Sequence, residues 1–446
     1  MAVADGKPRI DEFAQLRKLL DRFNSAADPA KLRLIALTLV FLHEYDQAGW
    51  AAARSSPEDG IREMIGRLPY EIGVDVDDVL RDVRDLHHVL AAMLDTIGPI
   101  VGSADHTAVF QDLLEEFSAD GERREGTAFT PRSVSAVMAG MLDIASASTV
   151  YDPFSRSGEL LVAAAANARP QELSAFGETP DGRSLTIARM NILVHGVQAE
   201  LGIRGVSEHG PSFQGVRKFS RILTNPPFNL SHWAEYDGPL WRYGPPPEGN
   251  ANFAWLQYAV ERLEPGGQAA VLMPNGAMSR SSPRERHIRM GMVEDGCVEA
   301  LISLPPALFR DTGISVTLWT LSPPGTPREA VLFVDASEAG HLVGRTRREL
   351  SDTEIGDIVH TVTAWRSGQA ARGGSSFSAA SVTLPKIRDR NYDLSPHLYL
   401  SRPPTATSSE AVLPAVRRLL QQLEAQHAEA ATADAAALRV LRGLAG

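Results

Sequence analysis

Cysteine is almost missing from this chain: of 446 residues, only Cys297 carries a thiol. One thiol excludes an intramolecular disulfide framework and any zinc site built on Cys-x-x-Cys. His195, His209, His287 and His397 are scattered without paired ligand spacing, so no metal site is expected. No uncharged apolar run approaches the roughly 18 residues of a membrane span. The opening MAVADGKPRIDEF has no basic stretch followed by an apolar core, which argues against a secretory signal and for a cytoplasmic location. A Walker A loop and a Gly-x-Ser-x-Gly elbow are also lacking, which leaves no basis for ATP hydrolysis or a serine nucleophile of that kind. Positive charge is in deficit, with a formal net charge of -11. That argues against coating nucleic acid by bulk charge, but permits a local basic groove or a partner that supplies phosphate contacts.

What is present is ordinary globular composition, with 43% hydrophobic and 22% charged residues. The pattern divides the chain in three. Residues 1–120 read as a helical domain: Phe13, Leu16, Leu20 and Phe23 fall on one stripe, Leu32 to Leu42 is a dense apolar helix, and Val79 to Ile97 resumes helical character. Residues 121–400 alternate strands and helices. Strands are expected at Thr149–Tyr151, Leu173–Gly177, Leu201–Ile203, Arg221–Leu223, Ala269–Met273, Val298–Leu304, Val316–Leu321 and Ala330–Val334, with amphipathic helices between several of them. This alternation predicts an α/β fold with a doubly wound, mostly parallel sheet. Residues 366–377 read as a flexible loop, and 401–446 as a linker followed by C-terminal helices.

The sharpest chemical signal is Asn225-Pro226-Pro227-Phe228, placed directly after an apolar strand. Carboxyl ends of strands form the ligand crevice of open α/β sheets. The tetrapeptide suits methylation of an exocyclic amine, whose lone pair is delocalised into its ring. The Asn225 side-chain oxygen and the Pro226 carbonyl can each accept one N–H and so free that lone pair. Two prolines fix φ and stiffen the turn, and preorganised acceptors stabilise the charge that develops. Phe228 can stack on a base rotated out of a duplex. Upstream, Tyr151-Asp152-Pro153-Phe154-Ser155-Arg156-Ser157-Gly158 resembles a first βα turn that binds a nucleotide, although it is not GxGxxG. Glu178 ends the next strand, where an acid commonly bonds ribose hydroxyls.

With these segments in order, the chain resembles the modification subunits of type I restriction–modification systems, which are S-adenosylmethionine-dependent adenine-N6 DNA methyltransferases. The likeness covers about 110 to 400. It rests on Gly126-Thr127-Ala128-Phe129-Thr130-Pro131-Arg132, Asp152 to Gly158, Glu178 with Arg189-Met190-Asn191 and His195-Gly196, and Asn225 to Phe228. It continues through Asn250 to Ala254, Leu263 to Gly267, Met273 to Gly276, Leu304 to Phe309, Thr312 to Ile314, and Tyr392 to Ser395 with Tyr399. The resemblance implies a Rossmann-like methyltransferase sheet and S-adenosyl-L-methionine as cofactor. It assigns the cofactor to Ala128, Phe129, Thr130, Pro131, Arg132, Asp152, Pro153, Ser155, Ser157, Gly158 and Glu178, and catalysis to Asn225, Pro226, Pro227 and Phe228. Two departures stand out: Arg156 occupies a place where the family usually carries glycine, and no acid follows the third strand until Glu208.

Arg280, Arg284, Arg286 and Arg289 cluster near a helix start and are the candidate phosphate contacts to double-stranded DNA. Arg345, Arg347 and Arg348 form a second cluster. No segment is left over to read several base pairs, so a separate specificity subunit is expected as partner. A restriction subunit is a further partner the resemblance admits. Rival readings are a non-catalytic paralogue acting as a DNA-bound scaffold, motivated by Arg156, and a methyltransferase for RNA, protein or a small molecule. A nicotinamide oxidoreductase ranks behind these, since the turn lacks its glycines.

Overall fold

The computed structural model describes residues 10–68, 72–75, 79–102, 106–121, 129–144, 148–168, 173–203, 217–231, 241–309, 314–343 and 347–400. The expected C-terminal helices, Glu208 and Ala128 lie outside these. The described residues belong to one compact unit that ends at Leu400.

The amino-terminal part is helical: α1 (Ile10–Arg22), α2 (Pro29–Tyr45), α3 (Gln47–Ala53), α4 (Pro57–Gly66), α5 (Leu86–Gly102) and α6 (His106–Gly121). The apolar run from Leu32 to Leu42 is buried almost throughout and forms the centre of this layer. An all-round apolar helix belongs inside a bundle rather than on its surface. The helix expected across Val79–Ile97 is interrupted instead, because Asp82 and Asp85 take positive φ and Arg84 N donates to Ala26 O. Short polar side chains tolerate that left-handed geometry. Among the described residues no helix is long and apolar enough to cross a membrane.

From α7 (Arg132–Met141) onward the chain builds a nine-stranded sheet. Its strands are β1 (Thr149–Asp152), β2 (Ser174–Thr179), β3 (Ala199–Ile203), β4 (Phe219–Thr224), β5 (Leu263–Pro274), β6 (Val298–Ser303), β7 (Val316–Leu321), β8 (Ala330–Asp335) and, after a short β9–β10 hairpin (His341–Val343, Arg347–Glu349), β11 (Ser378–Thr383). The order is β11-β8-β6-β7-β5-β4-β1-β2-β3, with β7 and β11 antiparallel to their neighbours and the remaining pairs parallel. The central strands β5 to β8 are buried on both faces, so they read as nearly continuous apolar runs. One face packs under α7, α8 (Glu159–Ala166) and α13 (Asp352–Arg366), through Val137, Leu161, Leu272, Leu318 and Ile358. The other packs under α10 (Asn252–Glu261) and, after the single-turn α11 (Gly276–Ser279), α12 (Pro283–Glu294), through Trp255, Ile222, Val271, Trp319 and Ile288. Helix α9 (Gly182–Val194) joins β2 to β3, and Met190 on it lies in the helical layer's core.

Three strands were not anticipated from the sequence. β11 carries a single buried side chain, Val382, so its alternation is too faint to read. β9 and β10 are three residues each and mostly half-exposed.

Candidate active site

The chain runs from β1 outward through β2 to β3, then returns so that β4 pairs with the other side of β1. This reversal leaves a crevice at the carboxyl ends of β1 and β4, where ligands bind in open α/β sheets. Asp152 closes β1, and Asn225 directly follows β4.

The turn after β1 is held by its own polar groups. Asp152 is buried, and its Oδ1 accepts from Phe154 N at 3.0 Å. Burial, with the charge of Glu159 added, pushes the Asp152 carboxyl up to about 8, and the Phe154 N–H only partly opposes this. Pro153 is buried in the bend, and Ser155 N donates to Glu178 O at 2.8 Å, which ties the turn to the end of β2. Gly158 sits at φ +75°, where a side chain would be strained and would press on Ile192. Glu159 opens α8 as a buried carboxylate that accepts from Ser157 Oγ at 2.6 Å and from Thr130 N at 3.2 Å. Glu178 is half-buried near the end of β2, and the Tyr151 hydroxyl, within its electrostatic reach, shares a hydrogen bond with the Tyr258 hydroxyl at 2.9 Å. Burial, Tyr258 and Glu178 all raise the Tyr151 phenol, so it stays a neutral donor.

Asn225 is buried, and its Nδ2 donates to Thr130 Oγ1 at 3.1 Å. The amide nitrogen thus faces Thr130 and the oxygen faces away from it. Pro226 and Pro227 are buried, while Phe228 is half-buried against the α7-side core. Asn229 takes φ +54°, and three side chains converge on it. Its Oδ1 accepts from Asn250 Nδ2 at 3.1 Å, Asn252 Nδ2 at 3.2 Å and Arg280 Nη2 at 3.0 Å. Its N–H donates to Asn252 Oδ1 at 2.9 Å. The exit of the tetrapeptide is therefore as firmly fixed as its entry.

Of the segment before α7, Thr130 reaches the crevice. Phe129 instead joins the core of the helical layer. Pro131 caps α7. Arg132 is drawn off by α6, donating to Asp112 at 2.6 Å and pairing with Glu115 at 3.1 Å. Phosphate contact by Arg289 does not hold: it is buried and donates to the carbonyls of Tyr392, Ala277 and Arg280. It clamps the closing segment to α12, and burial lowers its basicity. Arg280, Arg284 and Arg286 are exposed. Of the second cluster, Arg347 pairs with Glu115 and Glu349, and Arg348 donates to the carbonyls of Glu338 and Ala339.

Sequence reasoning missed Glu159, the Asn229–Asn252 network and a buried relay from α6. Gln111 Nε2 donates to Asn191 Oδ1 at 2.6 Å, and Asn191 Nδ2 donates to Ser157 O at 2.7 Å. His195 Nδ1 donates to Asn191 O at 2.8 Å, which places its Nε2, 3.3 Å from Gln111 Nε2, in the acceptor role. The only available hint was polar residues at core-facing positions of two helices.

The residues fit a nucleoside donor. Ser155 Oγ is buried with no partner among the described residues, an atom that a ligand would satisfy. Two buried carboxyl groups, Asp152 and Glu159, favour a cationic ligand, and Glu178 lies near the carboxyl end of β2.

A doubly wound sheet with this acidic first turn and an Asn-Pro-Pro-Phe end on β4 defines a Rossmann-like methyltransferase. A profile of the N-6 DNA methylase family matches residues 105–407, and the chain belongs to that family. The HindI methylase subunit of a type I restriction enzyme from Haemophilus influenzae is 30% identical over 75% of this chain and 77% of its own length. The MjaIX methylase subunit from Methanocaldococcus jannaschii is 28% identical over 66% of this chain and 55% of its own. Among solved structures, a type I methyltransferase subunit from Streptococcus thermophilus superposes with a TM-score of 0.66 at 21% identity, covering 88% of this chain and 99% of that one.

Proposed function

We propose that this chain is the catalytic subunit of a type I-like modification complex. It transfers a methyl group from S-adenosylmethionine to the N6 amine of adenine in double-stranded DNA, with a separate specificity subunit reading the target and a restriction subunit as a further partner. One observation carries the reading: the amide of Asn225 is held by Thr130 with its oxygen end turned away from that contact, at the mouth of the β1–β4 crevice.

The donor supplies an electrophilic methyl on a sulfonium, whose departure as a neutral thioether drives the transfer. Everything else falls to the chain. Asp152 and Glu159, with Ser155 and Ser157, would hold the amino-acid end of the cationic donor, and Glu178 would take the ribose. Asn225 Oδ1 and the Pro226 carbonyl accept the two amine protons and draw the nitrogen out of conjugation. No strong base is needed, because the extra proton leaves to solvent once the nitrogen has become tetrahedral. Phe228 offers a face for the extruded base. Arg280 lies beside this mouth through its bond to Asn229, and Arg284 and Arg286 are exposed on the helix that follows it; we assign phosphates of a bound duplex to these three.

The test is incorporation of labelled methyl into duplex DNA by the chain together with its specificity partner, scored as N6-methyladenine by mass spectrometry. The expected result is methylation by the wild type and none by Asn225→Ala. Transfer to RNA, protein or a small molecule alone would overturn the DNA assignment.

A further inference from the structure

Arg156 stands in the first βα turn, where a bulky cation pointing inward would crowd a positively charged donor. Its side chain does something else. The guanidinium lies 5.1 Å from the centroid of the Phe154 ring, and Nη2 donates to the main-chain oxygen of Asn225 at 3.1 Å. Phe154 is itself buried, edge-on to Trp255 with centroids 5.8 Å apart, so the arm rests on core. It thus spans the two loops that flank the crevice.

The bond falls on an informative atom. The Asn225–Pro226 peptide has no N–H, so nothing can hold its plane from the nitrogen side. Its carbonyl is the only hydrogen-bonding handle, and a charged donor grips it more strongly than a neutral one. Thr130 fixes the Asn225 side chain. With the peptide plane also fixed, the Pro226 φ locked by its ring and its ψ confined to the extended range by the following Pro227, the direction of the Pro226 carbonyl follows. We propose that Arg156 is a positioning residue for methyl transfer. It sets the Asn225–Pro226 peptide so that the amide oxygen and the Pro226 carbonyl converge on one amine. This rests on the methyltransferase reading above.

The experiment compares the full chain, with its specificity partner, as wild type, Arg156→Ala, Arg156→Gly and Arg156→Lys. Thermal melts establish that each is folded. Donor affinity is read by calorimetry, turnover at saturating donor and DNA by methyl incorporation, and base extrusion by the fluorescence of 2-aminopurine at the target position. The expected result is a fall in kcat of roughly tenfold for the alanine and glycine variants. Donor Kd should stay within threefold, the fluorescence change should be retained, and lysine should recover part of the loss. Unchanged or raised kcat in Arg156→Gly overturns the proposal. So does a tenfold weaker donor Kd with kcat kept, which would make Arg156 a cofactor ligand instead. A wild type that methylates no adenine removes the functional reading and this inference together, a result distinct from an active wild type with indifferent variants.

Discussion

Replacing Thr130 by valine removes one oxygen and almost nothing else. The side chain is fully buried and keeps its volume, and the main-chain N–H of residue 130 still donates to Glu159. What is lost is the acceptor for Asn225 Nδ2, which the structure places 3.1 Å away in a buried setting. A buried donor without a partner costs about 1–3 kcal/mol. The amide can relieve this by rotating its nitrogen toward the crevice, where it meets the amine of the substrate donor to donor. If about 1–2 kcal/mol of that appears in the transition state, turnover falls roughly 5- to 30-fold. The assay is kcat at saturating donor and duplex, beside donor Kd by calorimetry. Thr130→Val should lose turnover with Kd changed less than threefold, and Thr130→Ser, which keeps the hydroxyl, should remain near wild type. Turnover within twofold of wild type in the valine variant, or an equal loss in both, would refute the orienting role.

Other outcomes follow from the same contacts. Because the folded state holds the Asp152 carboxyl near 8, well above the ordinary carboxylate range, its contribution to stability is present in acid and is lost as pH climbs to about 8. A cationic donor ionises the group, so binding should release up to one proton near neutrality and tighten by at most about tenfold per pH unit. Calorimetry in buffers of different ionisation enthalpy measures this, and Asp152→Asn should abolish it. Glu299 is buried and gripped by Arg366 at 2.7 Å and 2.8 Å; burial would raise its carboxyl, but Arg366 and Arg328 hold it below the ordinary range. Glu299→Gln should therefore lower unfolding stability by about 3 kcal/mol in a denaturant titration. Arg284→Ala and Arg286→Ala should each reduce the salt slope of DNA binding by about 1. Arg289→Met should leave the slope alone and lower the melting temperature.

The crevice was legible because its parts are contiguous. A strand ending in Asp152, a next strand with Glu178 as its penultimate residue and a later one followed at once by Asn225 are each short apolar runs with a polar stop, and alternation with helices puts the three stops at one edge. What stayed hidden depends on distance across the fold. Nothing near Arg132 in sequence announces that Asp112 and Glu115 will capture it, and Arg289 looks like its exposed neighbours until the closing segment at Tyr392 covers it. Glu159 reads as an ordinary helix-opening acid, yet it joins Ser157 to Thr130. β11 escaped notice because an edge strand with one buried residue carries little hydrophobic rhythm.

The Gln111–Asn191–Ser157 relay gives the helical layer a stake in the chemistry. Both ends of the Asn191 amide are spoken for, one by a helix before the sheet and one by the turn that follows β1. A shift of that helix by even an ångström must break one of these bonds or drag the turn with it. Whatever docks against α6 would thus be felt at Ser157, and severing the chain just after that helix would remove a strut from the turn that follows β1.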